Sequence, residues 1–323
     1  MAKRALLIGI DKYDNVTSLT GCVADATAMS KLLQRNEDGS PNFECRTFTS
    51  PGPRVISRAF LREQWGQLFE SFTEDILFYF SGHGTPTQVG GYLVTQEATN
   101  GDPGLAMNDL LTLANSSRAR EVLLILDCCF SGSLGNPPNL QTGQSIENQA
   151  QLREGVTILA ASRPTQVAKE AAGHGVFTQL VLGALDGGAA DVRGHVSAAS
   201  IYAYVEQALG AWDQRPLYKS HANRLSPVRR CRPSVEDTLL RELPTLFTTP
   251  DTPHRMDPSY EHTHPSANPA NVAIFDKFKF LRNARLLRTV AGDDLYYAAI
   301  HSNPVELTPL GKFYWLLAKE RRI

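Results

Sequence analysis

Residues 76–84, ILFYFSGHG, and residues 122–132, VLLILDCCFSG, decide the fold. Each opens on five apolar residues in a row and breaks off at small and polar ones. A strand with one wet face alternates apolar and polar side chains, whereas a strand covered on both faces carries its apolar residues without interruption. Both stretches therefore read as central strands of a sheet sandwiched between helices. Working outward, short apolar runs at 4–10, 43–48, 156–160 and 217–220 supply further strands. Helical patterns fall between them at 24–34, 54–71, 105–114, 176–186 and 198–209. Strand and helix in alternation predict a three-layer α/β/α sandwich around a mainly parallel sheet.

In such a sheet, the loops beyond the carboxyl ends of neighbouring strands share one rim, where sites form. The two stretches place His83 just past one central strand and Cys129 just past another, so the two side chains can meet although they are far apart in sequence. An imidazole that takes the proton of a thiol raises its nucleophilic fraction and later protonates a leaving amine, which is acyl-transfer chemistry. Gly84 has no side chain, so its N–H can approach a reacting carbonyl and, with the N–H of Cys129, form an oxyanion hole. An isolated loop histidine more often satisfies backbone groups; the paired cysteine and the flanking glycines favour catalysis here.

Composition bounds the rest. The chain has 323 residues, enough for one ordinary domain and a smaller companion. Its formal charge of -1 argues against bulk attraction to polyanions. Five cysteines, two of them adjacent, are no disulfide framework in a chain this long, and reduced thiols in a cytoplasmic setting are expected. Adjacent cysteines are also badly spaced for a metal, so no metal site is expected at Cys128 and Cys129. Cys22 reads as a small buried residue beside the cleft. The apolar run near the N-terminus is short and reads as a strand, not a leader. No run approaches the roughly 18 apolar residues of a spanning helix, and no membrane partner is expected.

Two segments look like breaks. Residues 133–155 are polar, carry Gly135, Pro137 and Pro138, and read as an exposed loop inside the first domain. Residues 223–270 hold eight prolines and read as a linker, with one short helix near 235–241. The expected division is thus a domain over 1–222, a linker over 223–270 and a C-terminal module over 271–323. In the last, a helix around 275–287, a strand at 295–300 and a second helix opening at Thr308 and Pro309 are expected.

FYFSGHG, DCCFSG, the upstream GCVADA and the downstream ILAASRPTQVAKE with GVFT together resemble the caspase-like cysteine peptidases, most closely the metacaspase and bacterial branch. The second cysteine of DCCFSG falls on the nucleophile position of the metacaspase pattern Asp-Ser-Cys-His-Ser-Gly, and Phe130 replaces the usual His. The resemblance covers roughly residues 4–222 and implies a caspase-like fold, endopeptidase activity through a Cys129/His83 dyad, and protein or peptide substrates. It also implies that Asp25 and Asp127 line the first specificity pocket and prefer Arg or Lys, since paired carboxylates in a narrow cleft attract a single cation. Asp25 equally suits the first turn of a helix. A cytosolic regulatory, stress or bacterial defence pathway, including programmed cell death, is the implied setting. Loop 133–155 sits where the family divides its two portions, and its one basic residue, Arg153, is the candidate for self-cleavage. No cofactor is required, although many metacaspases respond to calcium and Glu97, Asp102 and Asp109 could contribute an acidic cluster. The alternatives are a catalytically silent scaffold of the same fold, or nucleic-acid recognition through the C-terminal module with the protease as its output.

The C-terminal module faintly resembles a winged helix. Lys277, Lys279, Arg282, Arg285 and Arg288 could face nucleic acid, but Asp276, Asp293, Asp294, Glu306 and Glu320 dilute that charge. Recruitment of a partner protein through Tyr296, Tyr297, Phe313, Tyr314 and Trp315 is the preferred expectation, and nucleic acid is not expected as a partner. His254, His262 and His264 lack accompanying cysteines and read as solvated linker.

Overall fold

A computed structural model describes residues 3–70, 74–87, 90–99, 101–128, 152–161, 170–171, 174–209, 216–222 and 226–323. The chain divides into two units: residues 1–190 with 195–231, and residues 191–194 with 232–323.

The first unit begins with β1 (Lys3–Ile10), α1 (Cys22–Gln34), β2 (Phe43–Ser50), α2 (Arg58–Phe69) and β3 (Ile76–Ser81). A small antiparallel sheet follows, made of β4 (Gly84–Thr87), β5 (Gly90–Thr99) and β6 (Asp102–Ala106), and then α3 (Met107–Ser116), β7 (Val122–Asp127) and β8 (Val156–Ala160). The two-residue strands β9 (Glu170–Ala171) and β10 (His174–Gly175) lead into α4 (Val176–Gly183), β11 (His195–Val196), α5 (Ala198–Leu209), β12 (Leu217–His221) and β13 (Arg229–Arg230).

The main sheet runs β12-β8-β7-β3-β1-β2, parallel throughout except for β12 at one edge. All six strands expected from the sequence are present. β3 is buried along its whole length, as its unbroken apolar run requires. Its alternate residues serve different faces. Phe78 and Phe80 pack with Leu61 and Trp65 of α2 and with Leu110 of α3, whereas Leu77 and Tyr79 pack with Met29 of α1, Val181 of α4 and Ile201 of α5. Burying one such large side chain stabilises by about 1.5–3 kcal/mol, so the two cores are what hold the sheet flat between its helices. The register pairs Ser81 with Asp127 and Gly9 with Ser81, and the tips of β1, β3 and β7 therefore end level on one rim.

The β4-β5-β6 sheet was not expected. β4 and β6 are short, the longer β5 has a register shift between Val94 and Thr99, and all three bear glycine and are partly exposed, so no apolar period announces them.

The second unit holds α6 (Asp237–Arg241), α7 (Leu243–Leu246), a 3-10 turn (Pro258–Tyr260), α8 (Pro269–Asn283), β14 (Leu287–Thr289), α9 (Leu295–Ile300), β15 (Val305–Leu307) and α10 (Pro309–Lys319). It corrects the linker reading. Val235, Leu240, Leu243, Phe247, Met256 and Tyr260 share one core with Phe275, Phe278 and Trp315, so the proline-rich segment from 232 onward is folded. Pro244, Pro258 and Pro269 sit in the first turns of α7, the 3-10 turn and α8, and composition alone cannot distinguish such helix-opening prolines from those of a linker. His254 is likewise not solvated: Nδ1–H donates to Leu246 O at 2.9 Å, and Nε2 accepts from the Tyr260 hydroxyl at 2.8 Å. The expected strand at 295–300 is α9, capped by Asp294, whose carboxylate accepts from Tyr296 N. Thr308 caps α10 with Pro309 in its first turn, as expected.

Candidate active site

The rim where β1, β3 and β7 end is assembled by close backbone approaches. A Cβ on Gly9, near the tip of β1, would lie 2.3 Å from Cys22 O, so only glycine lets the start of α1 settle against that strand. Asp11, just past β1, then caps α1: its carboxylate accepts from Cys22 N at 2.8 Å and from Val23 N at 3.4 Å. The first turn of α1 is thereby pinned under the rim, and Asp25 in that turn is 2% exposed.

His83 follows β3 by two residues and is held on four sides. Its N–H donates to the Tyr13 hydroxyl at 2.8 Å, its carbonyl accepts from Val94 N at 3.0 Å, and its ring lies against the Tyr13 ring at a centroid distance of 4.9 Å. The fourth contact is Nε2 with Thr17 O at 2.8 Å. A carbonyl oxygen can only accept, so Nε2 carries the proton and the neutral ring keeps its lone pair on Nδ1. Thr17 and Tyr13, which the sequence did not single out, therefore set the tautomer and orientation that a general base needs. Gly84 comes next and opens β4.

β7 reaches the same rim. Gly82 N donates to Asp127 O at 3.3 Å, joining the two strand tips, and Cys128 is buried. Cys129 lies outside the described residues, as does most of the exposed loop expected at 133–155. Position 129 stands as far beyond Asp127 as position 83 stands beyond Ser81, and those two residues are register partners.

Asp25 and Asp127 come together. A Cβ on Gly175 would meet Asp127 Oδ2 at 2.8 Å and Asp25 Oδ2 at 3.4 Å, so one glycine backbone faces both carboxylates. Asp25 Oδ2 accepts from the Ser81 hydroxyl and from Gly175 N, each at 3.3 Å. Asp127 Oδ2 accepts from the Thr178 hydroxyl at 2.6 Å. Burial pushes the Asp127 carboxyl up to about 6 and the negative charge of Asp25 adds to this, while the Thr178 hydroxyl and N–H pull the other way. Cys22 sits beside the pair. Burial, followed by the charges of Asp11, Asp127 and Asp25, pushes its thiol up to about 12 despite a hydrogen bond with Ser81. That thiol is no nucleophile, and it lines the cleft as the sequence suggested.

Arg153 is not brought to this rim. Its Nε donates to Ala114 O at 3.1 Å and its Nη2 to Ser117 Oγ at 2.9 Å and Ala119 O at 2.8 Å, just before β8 begins at the opposite end of the sheet. A six-residue strand spans about 20 Å, so Arg153 is separated from His83 by the depth of the sheet. Asp102 and Asp109 are ion-paired with Arg58 and Arg62, and Glu97 accepts from Arg58 N. Among the described residues no group of three or more His, Cys, Asp or Glu could hold a metal ion.

In the second unit, Lys277 pairs with Glu242, Lys279 with Asp276, Arg282 with Asp294 and Arg288 with Glu306. The expected aromatic docking face divides: Tyr314 and Trp315 are core residues, whereas Tyr296, Tyr297 and Phe313 are exposed. Among the described residues no helix is long and apolar enough to cross a membrane.

A mainly parallel sheet of this order between helices, with His83, Asp25 and Asp127 at the tips of its strands and helix, has the architecture of a caspase-like fold. The family model of the caspase domain matches residues 2–226, and the chain belongs to that family. Metacaspase-7 of Arabidopsis thaliana is 29% identical over 164 residues, 45% of this chain and 38% of that protein. Metacaspase-6 of the same plant is 27% identical over 172 residues, 49% of this chain and 46% of that protein. The chain thus spans less than half the length of either curated relative. A crystal structure of a Geobacter sulfurreducens protein superposes with a TM-score of 0.52 at 18% identity, covering 72% of this chain and 98% of that one, and shares the fold.

Proposed function

We propose that the chain is a cysteine endopeptidase that cleaves after Arg or Lys, with Cys129 as nucleophile and His83 as its proton-transfer partner. The observation that carries the reading is the pairing of Asp25 and Asp127 on the rim that holds His83, with Nε2–H committed to Thr17 O.

The chemistry follows from that tautomer. His83 Nδ1 takes the proton of the Cys129 thiol, and the thiolate attacks the scissile carbonyl carbon. The resulting oxyanion is met by the N–H groups of Gly84 and Cys129, and one such donor contributes about 2.7–4 kcal/mol to the transition state. His83 then gives its Nδ1 proton to the leaving amine as the C–N bond breaks, leaving a thioester. Water adds to that thioester with His83 again as base, releasing the carboxylate product and regenerating the thiol. Thr17 O holds the imidazolium that forms twice in this cycle. Arg or Lys beside the scissile bond would place its cation between Asp25 and Asp127, where a guanidinium can donate to both carboxylates at once.

A fluorogenic peptide panel with Arg, Lys or Asp before the scissile bond tests the proposal on wild type and Cys129→Ala, with and without calcium. Turnover of Arg and Lys peptides, abolished in Cys129→Ala, is expected. Preference for Asp would overturn the pocket, and activity retained by Cys129→Ala would overturn the nucleophile. Silence toward every peptide would favour the scaffold.

A further inference from the structure

The pocket carboxylates are held by a segment far along the chain. Gly175 and Thr178, the ends of GVFT, belong to β10 and to the first turn of α4, and they reach Asp25 and Asp127 respectively. Behind Thr178 lies Tyr79 of β3, with its hydroxyl 2.7 Å from Thr178 Oγ1. Thr178 and Tyr79 are both wholly buried. The donor directions follow from valence. Thr178 has one hydroxyl hydrogen, and an ionised carboxylate can only accept it, so Tyr79 must donate to the Thr178 oxygen. Tyr79 thus aims Thr178, and Thr178 aims Asp127.

We propose that Thr178 is a positioning residue for the specificity pocket: its hydroxyl, oriented by Tyr79, holds the Asp127 carboxylate ready to receive a basic side chain of the substrate. This rests on the reading of Asp25 and Asp127 as the pocket for Arg or Lys. The physical need is plain, because a carboxylate this deeply buried and facing a second one prefers to take up a proton, and a protonated Asp127 offers no charge to a guanidinium. Two donors from one residue, Thr178 N–H and Oγ–H, oppose that preference. Of the titratable groups facing Asp127, the charge of Asp25 from α1 works against its ionisation, while the Cys22 thiol from α1 and the Tyr79 hydroxyl from β3 are themselves pushed up by burial and stay neutral. Among the described residues α4 brings no acidic side chain in its first turn. Thr178 is therefore the member of the pocket that favours the charged form.

The test measures kcat and KM for an Arg peptide between pH 5 and 9, together with urea stability over the same range, on full-length wild type, Thr178→Val, Thr178→Ser and Tyr79→Phe. Val keeps the shape and removes the hydroxyl; Ser restores it. In Thr178→Val the acid limb of kcat/KM should move up by about one pH unit, a loss of about tenfold below pH 6 that nearly vanishes at pH 9 and falls on KM more than on kcat. Thr178→Ser should follow wild type, and Tyr79→Phe should show a smaller displacement in the same direction, which keeps the test open if the Val variant does not fold. An acid limb that stays in place, with any loss uniform across pH, would reduce Thr178 to a packing residue while leaving the peptidase reading intact. A wild type that turns over no Arg or Lys peptide would remove that reading and this inference with it.

Discussion

Replacing Asp127 by Asn should stabilise the protein at neutral pH while abolishing turnover of Arg and Lys peptides. The carboxyl is buried, and its burial together with Asp25 raises it from the ordinary 3.8 to about 6. In the unfolded chain it would titrate near its ordinary value, so between pH 4 and 6 the native state binds more protons than the unfolded one and stability rises as pH falls. Above pH 6 the native protein carries the full penalty of the buried charge. At 1.36 kcal/mol per pH unit the ceiling on that penalty is about 3 kcal/mol, and water entering the cleft lowers it to roughly 1–2 kcal/mol. Asn keeps an oxygen to accept from Thr178 and carries no charge, so Asp127→Asn should gain that amount at pH 7.5. For a unit of this size the gain corresponds to about 2–6 °C in Tm. The difference from wild type should shrink as pH falls through 6 and disappear only once the pH is below the ordinary 3.8, where Asp127 is protonated in both states. Calorimetry or urea unfolding across that range checks the prediction. A variant less stable than wild type at pH 7.5, or a gap that does not change with pH, would refute the argument that Asp127 is a buried charge retained for function at the expense of stability.

Asp25→Asn removes the neighbouring negative charge, so the acid limb of the wild-type profile should move down in pH while the plateau for Arg peptides falls about a hundredfold; a pH–rate series reads both. Gly175→Ala has an ordinary backbone conformation but puts a Cβ 2.8 Å from Asp127 Oδ2, and should raise KM for Arg peptides more than a hundredfold with little change in unfolding midpoint. Arg153 holds Ala114, Ser117 and Ala119 through three hydrogen bonds from one guanidinium, so trypsin should spare the bond after it in the native protein and cut it once urea loosens the first unit. Mass spectrometry of purified protein reads the same bond, and a rapid cut after Arg153 during storage would show that the anchor opens readily. His254→Ala deletes two hydrogen bonds and a ring packed against Phe247, Tyr260 and Phe278, and should destabilise the second unit by about 2–3 kcal/mol in urea.

The sheet was legible because its signal is local: an unbroken apolar run of five residues has few homes other than a doubly covered strand, and ILFYF and VLLIL lie side by side at its centre. The rim was legible for a related reason. In a parallel sheet every strand delivers its next residues to the same side, so Asp127 and His83 become neighbours by topology without any long-range pattern in the sequence. The helices α6, α8 and α10 of the second unit were legible, but that the proline-rich segment between α6 and α8 folds into the same core was not, because proline opens a helix and fills a linker equally well. Only the burial of Val235, Leu240 and Phe247 separates the two.

The pocket shows where reading by motif stops. Asp25 and Asp127 can be picked out as acids beside a candidate nucleophile, but nothing in their own segments says what holds two carboxylates next to each other. That answer comes from Ser81 at the tip of β3, Gly175 of β10 and Thr178 of α4, three residues from three elements, two of them distant in sequence from both acids' own segments. Each donates to a carboxylate oxygen, and none carries charge. A cationic neighbour would have neutralised the pair more strongly, yet it would also have occupied the place of the substrate's own cation. Neutral donors hold the acids in position and leave their charge unspent, so on the proposed reading the missing positive charge is supplied by the basic side chain of the substrate. On this argument, placing a lysine at Ser81 or Thr178 should rescue stability at neutral pH and extinguish Arg cleavage together, and a variant that kept both would show that the carboxylates are not the groups the substrate meets.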